Sequence, residues 1–137
     1  MNTARIVIGG VVGGIVYNIV SILVNVVALG ERYKLLQSTG IYRQEPRLPF
    51  LPIWIVLTIL VSIGLAWLYA VARPRLGPGP MTALLVGLVV GLICSIPGAV
   101  AEYSWAYSGG LVAMWRVIQV IGGSILATLA AGWLYTE

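Results

Sequence analysis

Histidine is absent from the 137 residues of this chain, and cysteine occurs once, at Cys94. The first absence takes from haem, zinc and copper sites their commonest protein ligand; the second rules out an internal disulfide or a cysteine-rich metal site. Charge is also scarce: 9% of residues are charged against 60% hydrophobic, and the mean hydropathy is +1.01. A water-soluble domain needs a polar surface, which this composition cannot supply. No Ser/His/Asp or Cys/His set, carboxylate pair, Walker pattern or dinucleotide-binding glycine pattern is present, so the sequence offers no catalytic residue and no metal ligand set. The alternation of a transmembrane β-barrel is missing too. No basic cluster carries interleaved aromatics, so the net charge of +4 and pI near 9.6 point to anionic lipid headgroups rather than nucleic acid.

What is present is apolar sequence of membrane-spanning length. Stretches 6–29, 51–72, 81–101 and 111–133 each approach or exceed the roughly 20 residues that cross ~30 Å of hydrocarbon as a helix. A chain in lipid must satisfy its backbone internally, which leaves helices as the one option at these lengths. The expected fold is therefore all-α: one domain, 1–137, of four transmembrane helices running up-down-up-down, with both termini on one side. Arg5 precedes the first apolar run, but that run is too long for a signal-peptide core and has no small-residue cleavage site, so it reads as a retained span. Arg5, Arg73 and Arg75 on one side balance Arg32, Lys34, Arg43 and Arg47 on the other, so basic residues set no orientation.

Small and polar residues recur at helical spacing within the spans. Gly10, Gly14, Asn18, Ser21 and Asn25 step by four and three along the first, and Gly9 and Gly13 add a second Gly-x-x-x-Gly beside them. Such a face lets a neighbouring helix approach closely, while Asn and Ser bond across the contact; a polar lining for a cavity is the sharper alternative. The second span has a weaker stripe of Thr58, Ser62 and Ala66. The third repeats the pattern with Gly87, Gly91 and Ser95, then meets Pro97-Gly98, where a kink is expected. The fourth carries Arg116, Gln119, Gly123 and Ala127 on one face. Gly10, Gly14, Gly87, Gly91 and Gly123 are the expected helix-packing positions.

Glu102 and Arg116 are the charges that fall inside otherwise apolar sequence, at matching distances on either side of the turn 107–110. In an antiparallel hairpin they face each other at one depth. An ionisable residue at the centre of a span costs about 2.5–3.5 kcal/mol on insertion scales, so such a residue is a functional-site candidate by default. Glu102 alone has the chemistry to carry a proton; the plainer reading is that it neutralises Arg116 and pins two helices together, with Gln119, Tyr103 or Asn25 supplying further hydrogen bonds. The candidate site is one polar cluster of Glu102, Arg116, Gln119, Asn25, Ser21 and Asn18 in the half of the membrane nearer the first loop.

The two loops flanking the second span differ. Residues 73–80 form a compact Pro/Gly connection. Residues 30–50 are long enough for two turns of interfacial helix near Glu31 to Ser38, with Tyr33, Leu36 and Tyr42 dipping into the headgroups and Arg32, Arg43 and Arg47 facing water. A docking surface for a partner is the alternative.

Three segments carry a resemblance: Ile8-Gly9-Gly10 after a basic N-terminus, the loop Arg73-Pro-Arg-Leu-Gly-Pro-Gly-Pro80 leading into Thr82-Ala-Leu84, and the ending Leu126-Ala-Thr-Leu-Ala-Ala-Gly-Trp-Leu-Tyr135. Together they resemble an uncharacterised family of small bacterial four-helix integral membrane proteins. The resemblance implies a multi-pass protein of the bacterial inner membrane and lends no functional residues. Three functions follow from the sequence. A non-catalytic accessory or scaffold subunit, packed against other membrane subunits, expects at least one small-residue stripe to face outward. It binds no cofactor through ligands of its own and meets lipids or a partner's pigments or cofactors. A small transporter or channel expects association with a second copy through a Gly-x-x-x-Gly face and uses the polar cluster as its centre. A lipid-modifying enzyme has Glu102 as its sole acid or base.

Overall fold

The computed structural model describes residues 1–135 and is all-α. Four long apolar helices of 25–27 residues, each able to cross a membrane by length and hydropathy, pack as a bundle. α1 (Thr3–Ile22) starts at Asn2, whose side-chain oxygen accepts from the Arg5 N–H at 3.2 Å and satisfies one of the free donors of the first turn. It continues as a π-helical segment, Leu23–Ala28, in which the Leu29 N–H reaches the Val24 carbonyl at 2.9 Å. A short surface helix, α2 (Gly30–Ser38), follows after the single residue Leu29.

α3 (Phe50–Leu76) begins at a proline boundary and extends past the expected end at 72 to include Pro74. Gly77 and Gly79, at φ +87° and +129°, then turn the chain through a conformation that a Cβ would strain. α4 (Pro80–Trp105) takes proline in its first turn, where the missing N–H costs nothing, and remains one helix through Pro97 and Gly98, four residues beyond the expected end at 101. Gly109, at φ +86°, starts α5 (Gly110–Leu134).

The glycines set which helices meet. A Cβ on Gly10 or Gly14 would lie 2.4 or 2.7 Å from the Cα of Ile63 or Ile59 on α3. On Gly9 or Gly13 it would lie 3.0 or 2.7 Å from the carbonyl oxygens of Ala131 and Ala127 on α5. α1 therefore sits in a groove between α3 and α5 with its backbone against both. Gly87 and Gly91 give α4 the same close seat on α5, 2.6 and 2.8 Å from the Cα of Ile125 and Ile121, and Gly123 of α5 lies under the Tyr17 ring. α4 packs along α5 and touches α3 little. These small-residue faces are thus used within the chain, which corrects the expectation that one of them turns outward to a partner. Each removes side-chain bulk where water is not available to drive association, and dispersion between backbones takes over.

The two ends of the bundle close differently. At the end bearing the N-terminus, Ile6, Tyr69, Ala83, Ala131 and Tyr135 form an apolar cluster. The Tyr69 hydroxyl accepts from the Gly79 N–H and that of Tyr135 from the Asn2 N–H, both at 3.2 Å. At the other end α2 folds back over the start of α5, burying Leu29, Leu36 and Val112 to 0–2% exposure, with Tyr33, Tyr42 and Trp115 packed around them.

Candidate functional site: a polar network beneath the interfacial helix

Residues from α1, α2, α4, α5 and the loop after α2 meet at this second end. Arg116 Nη1 donates to Glu102 Oε2, so the acid and base across the α4–α5 turn form an ion pair. Glu102 Oε1 accepts from Ser108 Oγ at 3.0 Å and from the Tyr42 hydroxyl at 3.3 Å. Three donors from three segments therefore converge on one carboxylate whose side chain is 14% exposed, while Arg116 remains 49% exposed. The turn is held from outside by Arg32, whose Nη2 donates to the Ser108 carbonyl at 3.2 Å.

A second set of bonds runs towards the membrane interior. The Tyr33 hydroxyl donates to Asn25 Oδ1 at 2.9 Å, and Asn25 Nδ2 donates to Gln119 Oε1 at 3.0 Å and to the Ser21 carbonyl at 2.8 Å. Gln119, buried on α5, donates in turn to Ser21 Oγ at 3.0 Å. Burial raises the pKa of the Tyr33 phenol, an effect that the neighbouring Arg116 opposes, so the hydroxyl stays protonated and available as the donor this chain requires. Tyr33 lies 5.8 Å, centroid to centroid, from Tyr42, so the two sets share one aromatic wall.

The π-helical segment contributes to this geometry. Asn25 sits inside it, and the wider turn carries α1 directly into α2, so that Tyr33 returns over Asn25. Such wide turns are rare and recur at functional positions of helices.

Asn18 lies apart from the network. Its Nδ2 donates to Thr58 Oγ1 at 2.8 Å and to the Gly14 carbonyl at 2.9 Å, which ties α1 to α3. The expected single cluster is therefore corrected for this residue. The physical reason is that the polar stripe of α1 is two ridges. Gly10, Gly14 and Asn18 follow each other by steps of four on the side of α3; Gly9, Gly13, Tyr17, Ser21 and Asn25 do so on the side of α5.

Helix length sets the depth of the pair. The 26 residues of α4 extend about 39 Å, longer than the ~30 Å hydrocarbon layer. Glu102 is three residues from the end of α4 and Arg116 six from the start of α5. The pair thus lies near the boundary of the hydrocarbon, where water and headgroups reduce the cost of charge, and not at the costly centre.

Four contributors lay outside the expected site. Tyr33 and Tyr42, read as facing lipid headgroups, turn inward with Leu36, and Arg32 turns from water to the Ser108 carbonyl. Ser108 is fully buried in a turn that looks solvent-facing in sequence. Tyr103, an expected partner of the pair, is 66% exposed and makes no hydrogen bond to Glu102. The usable sequence signal was the placement of a hydroxyl at Ser108, six residues after the acid in a turn too short to carry it away.

Among the described residues no group of three His, Cys, Asp or Glu side chains is placed to hold a metal ion. The network places donors on acceptors. Comparison with protein-family models, with curated proteins and with solved structures finds no match. The geometry defines a small multi-pass membrane protein with four spanning helices and a hydrogen-bonded polar end.

Proposed function

We propose that this chain is a non-catalytic accessory or scaffold subunit of the bacterial inner membrane, with Glu102 and Arg116 as a structural clasp that holds the interfacial segment onto the bundle. The observation that carries this reading is that Glu102, Asn25 and Gln119 are all satisfied within the chain. Glu102 accepts from Arg116, Tyr42 and Ser108, and Asn25 and Gln119 use both ends of their amides within the chain. A transport centre needs polar groups that a substrate can engage, and sites of that kind sit near the bilayer midplane. Here the charged pair lies near one boundary with its partners in place.

The same packing revises how partners are met. Because the glycine faces of α1, α4 and α5 are used internally, a partner subunit contacts the apolar outer flanks. α4 is the span least covered by the rest of the chain: 22% of its apolar window is buried, against 33–39% for the others. The bacterial inner membrane is the setting that the sequence resemblance implies.

Native mass spectrometry of the untagged protein, extracted from its own membrane in a mild detergent, tests the reading. Stoichiometric association with larger membrane subunits is the expected result. A homo-oligomer free of other subunits that moves an ion across liposomes, or turnover of a lipid by the purified chain, overturns it.

A further inference from the structure

The glycines that bring helices together leave one pair apart. Gly10 and Gly14 seat α1 on α3, and Gly87 and Gly91 seat α4 on α5. α3 and α4 have no such seat against each other: a Cβ on Gly64 of α3 would meet nothing within 4 Å. Between them runs a groove of about 310 Å³, walled by Leu68, Val71 and Ala72 on one side and by Leu85, Val86 and Val89 on the other. Every lining side chain is Leu, Val or Ala. Water has no hydrogen-bond partner there, and an empty groove forfeits dispersion contacts along both walls, so an apolar occupant is favoured. A transmembrane helix is a poor fit, because close helix contact needs small residues and Ala72 is the one small residue of the lining. A flexible hydrocarbon chain fills branched walls without such a seat.

The mouth of this groove is basic. Leu68, Val71, Ala72, Arg75 and Leu76 recur at steps of three and four, so Arg75 belongs to the stripe of α3 that walls the groove. Arg75 is exposed and has no ion-pair or hydrogen-bond partner among the described residues. Arg73, two residues earlier, lies instead over the Tyr135 ring, 5.4 Å from its centroid. The acids among the described residues, Glu31, Glu45 and Glu102, all lie at the opposite end of the bundle. α3 extends about 40 Å over its 27 residues, against ~30 Å of hydrocarbon, which brings Arg75, second from its end, to the level of lipid headgroups. We propose that the groove binds one anionic membrane phospholipid, with an acyl chain between α3 and α4 and the phosphate on Arg75. The aliphatic walls select the chain, and the unmatched guanidinium selects the charge of the headgroup.

The test uses the full chain, purified and delipidated, with phosphatidylglycerol and phosphatidylcholine of matched acyl chains added in equal amounts and counted by native mass spectrometry. The wild type is expected to retain one phosphatidylglycerol in preference to phosphatidylcholine by about fivefold, the increment of one basic residue near a membrane surface. Arg75→Gln is expected to keep a lipid and lose the preference. Val71→Phe combined with Val89→Phe, which fills the groove from both walls at half-exposed positions, is expected to release both lipids. Arg5→Gln, which removes a cation from the same end but from α1, is expected to change neither result. Equal retention of the two lipids by the wild type overturns the proposal without reference to any variant's folding. So does unchanged retention in the Val71/Val89 double variant, or loss of the preference in Arg5→Gln with its survival in Arg75→Gln. In protein extracted from its own membrane, a second copy or another subunit that is bound by the wild type and lost from the double variant assigns the groove to a helix and overturns the lipid assignment.

Discussion

The two ends of this bundle are closed by different physics. At the end bearing the N-terminus the chain uses Gly77 and Gly79 at positive φ and Pro80 at a helix start. Two tyrosine hydroxyls there each accept one backbone N–H, one from ten residues away and one from 133. At the other end closure depends on side chains bonded to one another, with Tyr42 reaching Glu102 sixty residues away and Asn25 reaching Gln119 ninety-four away. At the first end the two tyrosine bonds to backbone N–H groups are separate, each a single side-chain-to-backbone contact over an apolar cluster. The second is a network in which each member's position depends on the others, so its loss is expected to be cooperative.

Substitutions at the two ends separate these cases. Glu102→Ala removes the acceptor for three donors and leaves Arg116 without its carboxylate; since Arg116 is half exposed, part of the loss is offset by solvent, and the expected cost is about 2–3 kcal/mol. Thermal unfolding in bicelles reads this as a lowered midpoint, and equal stability would remove the clasp from the account. Asn25→Ala, which breaks three hydrogen bonds inside the same network, is expected to cost about 2 kcal/mol and to expose the Tyr33 ring to solvent quenchers. Tyr69→Phe at the opposite end removes a single bond to Gly79 and is expected to cost about 1 kcal/mol, with no change at α2.

Alkali supplies the smallest effect. The Tyr33 phenol has its pKa raised by burial, so its contribution to stability is present below the unfolded tyrosine value of about 10 and is lost as pH rises through the folded value. Stability should fall above pH ~10 in the wild type, less steeply in Tyr33→Phe, and a denaturation profile with identical slopes would contradict this assignment.

The difference between the ends also explains what the sequence made legible. The four spans are visible because hydropathy over twenty residues is a property of the chain itself. Their ends are less so: α3 continues through Arg73, Pro74 and Arg75, and α4 through Pro97 to Trp105, because helical backbone persists beyond hydrocarbon into the interface, where hydropathy no longer marks it. The pairing of Glu102 with Arg116 was readable from their symmetry about a short turn. The separation of Asn18 from Ser21 was readable in principle, since a step of three between them crosses from one ridge to the next. The inward turn of Tyr33 and Tyr42 was not. An amphipathic ring serves equally at a headgroup or over a protein surface, and the choice is made by Leu29, Leu36 and Val112, which meet only in the folded chain.

The central claim is that Glu102 fastens the segment from Gly30 to Tyr42 onto the membrane helices. Hydrogen exchange of the wild type and Glu102→Gln in the same nanodiscs, followed by mass spectrometry, measures that fastening directly. The account predicts that exchange of the backbone amides in α2 rises by about tenfold in the variant, the equivalent of ~1.4 kcal/mol of local opening, while the connection at Gly77 and Gly79 is unchanged. Unaltered protection of α2, or an equal rise at both ends, would contradict it.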